Sequence, residues 1–177
     1  MVVYTQDALA GATSKDAMEA DIYLAVDQSN RSYINSNINQ RLRLVHIAEV
    51  SYAEPSPPDT IRDRNRLQDK ADGYVDNVHT LRDTFGADVV VMITETGSYC
   101  GYSFTMDPVG NAFEDHAFAV GARRCATLLD AYSFAHELGG AILDRSPIQP
   151  RPACPCGNRL HLGAKHAGYP TDPAARA

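Results

Sequence analysis

The run DVVVMIT, residues 88–94, carries only apolar side chains between Asp88 and Thr94. A strand with one solvated face alternates apolar and polar residues, because successive side chains leave on opposite faces. An unbroken apolar run of strand length instead requires cover on both faces, the situation of a central strand in a parallel sheet. Parallel neighbours need crossover connections, which are usually helical and right-handed. This one segment therefore points to an α/β layered fold.

The flanking sequence agrees. VVYT, residues 2–5, reads as a first strand. A helix is expected from a cap at Thr13 or Ser14 to about Asn35. Asp16 and Glu19 suit its first turn, and Met18, Ile22, Ala25, Val26 and Ser29 recur at helical spacing. Residues 38–52, INQRLRLVHIAEVSY, alternate, with Leu42, Leu44, His46 and Ala48 on one side, and read as a second strand. AEPSPPDT is a loop stiffened by three prolines. DGYVDNVHTLRDTFGAD predicts a helix capped by Asp72, with Tyr74, Val75, Val78 and Leu81 as its stripe and Gly86 closing it. Beyond Thr94 comes a stretch rich in glycine and aromatics, in which HAFAV is the best short strand. A third helix, LDAYSFAHELGGAIL, follows, with Asp130 able to cap it. From Ser146 the composition shifts: six prolines, little periodicity and no core face. We expect a folded unit over residues 1–145 and a loop or disordered tail over 146–177.

Composition narrows the function. A chain of 177 residues with 44% hydrophobic and 21% charged content is one globular domain with a real core. A net charge of -6 argues against a nucleic-acid partner, which calls for a basic patch. No apolar run is long enough to span a membrane, and the N-terminus lacks the pattern of a signal peptide; if the chain is secreted, a mature or trimmed form is expected. Neither a G-x-S-x-G elbow nor a phosphate-binding glycine loop is present. His46 and His79 read as structural or surface histidines, and His116 as a surface residue flanking a strand near the expected cleft.

His136 and Glu137 open the pattern H-E-x-x-H. That spacing places two imidazoles on one helix face to grip a zinc ion, with the glutamate beside the metal-bound water as its base. The bare pair is weak, but it stands in context. VVYT, RLRLVHIAEVSY, DGYVDNVHTLRDTFGADVVVMI, YCGYSF, AFAVGARRCAT and YSFAHELG follow one another in an order and spacing that resemble secreted bacterial metalloendopeptidases. The group is the reprolysin-like metzincins, nearest the peptidyl-Asp metalloendopeptidase type. The resemblance covers about residues 2–139.

The resemblance implies an α/β (α+β metzincin-like) fold: a mixed, mostly parallel twisted sheet with packed helices, the active helix lying below an edge strand. It implies zinc as cofactor, a peptide or protein substrate, secretion and a monomer. His136 matches the first zinc ligand and Glu137 the catalytic base. Cys100 and Cys125 match a disulfide. HAFAVGAR resembles the edge strand, so Ala117, Phe118, Ala119 and Val120 would bind substrate by β-augmentation.

The resemblance stops abruptly. Gly140 stands at the second ligand position, Leu143 at the turn glycine and Ser146 at the third ligand. Asp144, Cys154, Cys156, His161 and His166 are possible substitute ligands, though C-x-C followed by H-x-x-x-x-H is no close match to familiar zinc spacings. The expectation is a zinc endopeptidase domain with an incomplete metal site. Its alternative is an inactive relative, truncated or frameshifted, that at most binds peptides at its edge strand. A shift of reading frame near codon 140 would account for so sharp a boundary. Sequencing the gene tests this, since an H-x-x-G-x-x-H continuation is then expected in another frame.

Overall fold

The computed structural model describes residues 1–106, 111–125 and 132–142. The chain runs β1 (Val2–Thr5), α1 (Gln6–Ala12), α2 (Lys15–Asn35), β2 (Ile47–Val50), α3 (Thr60–Gln68), α4 (Asn77–Phe85) and β3 (Val90–Thr94). It continues through β4 (Gly101–Ser103), a 3-10 turn (Asn111–His116), β5 (Phe118–Ala122) and α5 (Tyr132–Ile142). The five-stranded sheet has the order β2-β1-β3-β5-β4. β2, β1, β3 and β5 are parallel, and β4 runs antiparallel to β5 at the edge. The expected mixed, mostly parallel sheet is present.

β3 is buried along its whole length, as its composition requires. Val91 and Ile93 face a core shared with Met18, Ile22 and Ala25 of α2 and with Phe134 and Leu138 of α5. Val90 and Met92 face the opposite core, with Leu67 of α3, Val78 of α4, and Phe118 and Val120 of β5. Helices thus cover both faces: α1, α2 and α5 on one, α3 and α4 on the other.

Several boundaries differ from the sequence expectation. The first long helix forms as predicted, with the Ser14 hydroxyl accepting from Ala17 N at 3.1 Å. The second strand occupies only Ile47–Val50 of the residues expected to form it. Its forerunner is diverted onto α2, where the Asn30 side chain donates to Leu42 O (3.0 Å) and accepts from Leu42 N (2.7 Å). Those backbone groups are therefore satisfied by a side chain instead of a neighbouring strand. The next predicted helix starts at Asn77 rather than just after Asp72. Asp72 instead accepts from Tyr74 N at 3.1 Å in a local turn. Gly86 closes that helix in the left-handed conformation, at φ 58°. The cap expected at Asp130, and the tail at 146–177, lie outside the described residues.

Among the described residues, two further helices add to the sequence expectation. α1 follows β1 directly, with Thr5 as its cap. α3 is almost wholly polar, and only Thr60, Asp63 and Leu67 of it are buried. Tyr52 OH donates to Asp63 Oδ1 at 2.6 Å, tying α3 to the exit of β2. Burial pushes the Asp63 carboxyl up to about 6, and the Tyr52 hydrogen bond offsets only part of that rise.

A raised carboxyl pKa means that the folded state resists ionisation. Its cost is absent below the unfolded pKa, grows as pH rises toward about 6, and is constant above it. Asp63→Asn keeps an acceptor for Tyr52 and removes the charge. Its stability advantage over the parent should grow by about 3 kcal/mol between about pH 3.5 and about pH 7. Denaturant unfolding at the two pH values checks this, and a constant difference would contradict it.

Candidate functional site

α5 presents its apolar side to the sheet, with Phe134 and Leu138, one turn apart, buried in the core. His136 is exposed on this helix and Glu137 is buried, 7% accessible. The helix packs beneath β4 and β5 and against α2. Glu137 lies directly under the start of the edge strand. A Cβ at Gly101 would meet its Cγ and Oε1 at 2.5 Å, so only glycine lets β4 pass this close.

The loop joining β3 to β4 is fixed from several sides. Glu54 accepts from Thr5 Oγ1 (2.6 Å), Glu95 N (2.6 Å) and Thr96 N (3.1 Å). Thr60, at the start of α3, donates through Oγ1 to Tyr99 O (3.2 Å) and accepts from Tyr99 N (3.1 Å). Glu95 receives two bonds from the Arg123 guanidinium, at 2.6 and 2.9 Å. Cys100 and Cys125 form a disulfide across 25 residues, joining the start of β4 to the turn after β5. The pairing expected from the resemblance is therefore present.

The residues expected to line an edge, Ala117, Phe118, Ala119 and Val120, stand instead inside the sheet. They are buried, and β5 pairs with β3 on one side and β4 on the other. On this side of the sheet the outermost described strand is β4. β4 is three residues long and glycine-led, too short for its sequence to stand out from a loop.

Zinc is the metal that the resemblance implies, and the described residues do not supply a set of donors for it. Among them no group of three His, Cys, Asp or Glu side chains could hold a metal ion. Position 140, one helical turn beyond His136, is glycine and offers no donor. Asp144, Cys154, Cys156, His161 and His166 lie outside the described residues. The other described histidines have structural contacts. His46 stacks on Phe85 at 3.7 Å, His79 Nε2 meets Leu67 O at 3.1 Å, and His116 meets Phe104 edge-on at 5.0 Å.

A cavity of about 670 Å³ lies at the opposite end of the sheet, by Lys70, Arg82, Asp88 and Glu114. Its cations are already engaged. Arg82 donates to the carbonyls of Ala87, Asp88 and Glu114, and Lys70 pairs with Asp115 at 2.7 Å.

A helix-covered, mostly parallel sheet, with a His–Glu pair on a helix beneath an antiparallel edge strand, is the layout of a metallopeptidase domain. Residues 19–141 match the family described as Metallo-peptidase family M12B Reprolysin-like, and the chain belongs to that family. It is 37% identical over 122 residues to the peptidyl-Asp metalloendopeptidase of Stenotrophomonas maltophilia (strain K279a), covering 69% of this chain and 27% of that protein. Against the enzyme of the same name from Xanthomonas campestris pv. campestris it is 39% identical over 122 residues, with the same 69% and 27% coverage. The chain thus spans little more than a quarter of these relatives. A solved chain from a chaperone-substrate complex superimposes with a TM-score of 0.62 at 18% identity, over 78% of this chain and 24% of that one, which bears on the fold alone.

The disulfide closes a loop of 25 residues, for which chain entropy gives about 3.5 kcal/mol. The double variant Cys100→Ser, Cys125→Ser should lose that much stability in denaturant unfolding. A loss well under about 1 kcal/mol would show that the crosslink contributes little.

Proposed function

We propose that residues 1–145 are the sheet and active-helix part of a secreted, monomeric metalloendopeptidase domain whose own zinc site is incomplete. Residues 146–177 are then a tail outside that domain. In this form the chain binds extended peptides along β4 and does not hydrolyse them. The observation that carries this reading is Gly140 at the position where an imidazole should join His136 on α5. Without a bound metal, Glu137 has no activated water to deprotonate, however well it is placed. The outer edge of β4 above α5 supports peptide binding, since an added strand gains backbone hydrogen bonds there. The disulfide supports an oxidising, extracellular compartment.

Two measurements test the reading. The purified chain should take up no stoichiometric tight zinc and cleave no protein substrate. Chelator-sensitive cleavage that disappears in Glu137→Ala would overturn it, and zinc uptake lost in His136→Ala together with His161→Ala would identify ligands from the tail. Conversely, Gly140→His adds a second imidazole at i+4. It should raise zinc affinity about tenfold or more in a competition titration.

A further inference from the structure

The edge strand has two unlike faces. Gly101 meets Glu137 on the α5 side, and Ser103 shares that side by alternation. Tyr102 points the other way, as does Phe104 beyond the strand end, because Arg64 of α3 lies over both rings. Its guanidinium carbon is 4.7 Å from the Tyr102 centroid and 3.7 Å from the Phe104 centroid. Tyr99 extends the row, 6.0 Å from Tyr102. All four side chains are half-buried, so each keeps some surface open.

Arg64 is unusual for a guanidinium in this setting. Among the described residues its buried Nε has no hydrogen-bond partner, and its side chain donates to Asn65 Oδ1 at 2.6 Å. Among the described residues no carboxylate forms an ion pair with it. Burial lowers its pKa, and the neighbouring Tyr102 offsets that only in part. A cation of this kind leaves uncancelled positive charge beside the rings.

We propose that Arg64, Tyr102 and Phe104 form a selective ledge for the peptide that occupies β4. This deepens the reading of β4 as a peptide-binding edge and rests on it. A peptide strand added to β4 sends every second side chain to the α3 face, directly opposite these rings. Cross-strand pairs of aromatic with aromatic or β-branched side chains are favourable at that spacing. The ledge therefore selects aromatic or β-branched residues at two positions separated by one, and Arg64 repels lysine or arginine there. The intervening residue faces α5, and its identity matters less to the ledge.

The test uses the full, oxidised chain and short labelled peptides in fluorescence polarisation. One peptide carries Val-Ala-Phe at its centre and the other Lys-Ala-Lys. The first should bind about tenfold more tightly. In Arg64→Met, which keeps an apolar stem over the rings, the Lys-Ala-Lys peptide should gain affinity and the gap should shrink to about threefold. Binding of both peptides without a gap, or a gap unchanged in Arg64→Met, would overturn the ledge and leave edge binding intact. Binding of neither peptide would overturn edge binding and the ledge together.

Discussion

Burial of β3 on both faces is the constraint from which the rest of the architecture follows. Val91 and Ile93 need one apolar layer and Val90 and Met92 another, so helices must lie on both sides of the sheet. Neighbouring strands β1 and β5 then run parallel to β3, which brings the carboxyl ends of all three to one side. Loops leave the sheet there, and in open α/β sheets such loops carry function. Thr5, Glu95, Arg123 and the disulfide all lie at that end of the fold.

The antiparallel edge strand is what makes this end the candidate site. β4 has only three residues and, among the described residues, one strand neighbour, so it could not hold its place alone. It is held by the Cys100–Cys125 bridge, by Thr60 on the backbone of Tyr99, and by Arg64 stacked on its outward rings. From below, α5 is drawn against the sheet by Phe134 and Leu138. Gly101 removes the last obstacle, and Glu137 sits against the strand. A site of this form is assembled by contacts from distant parts of the chain, each of them local and modest.

Family membership and the metal site proposed to be incomplete meet within one helical turn. Residues 19–141 carry the family match, and position 140, where the resemblance calls for a second imidazole, is glycine. On the reading proposed above, the fold persists without its chemistry because core burial and metal ligation would depend on different faces of α5. Phe134 and Leu138 serve the core, while His136 lies on the exposed side.

The sequence by itself determined the layering, the first long helix, the closure of α4 at Gly86, and the helix that carries His136 and Glu137. Those features rest on local periodicity, caps and apolar runs, which a chain displays without knowing its neighbours. The disulfide partners follow from resemblance, and the structure agrees. Tertiary structure alone decided which strand forms the edge above α5. HAFAV is the stronger strand in sequence, yet it became β5 in the interior, while the glycine-led YCGYSF supplied the rim. It also decided that residues 38–46 follow α2, because Asn30 captures Leu42. Pairing partners and side-chain captures of this kind join residues far apart in the chain, and no local pattern records them.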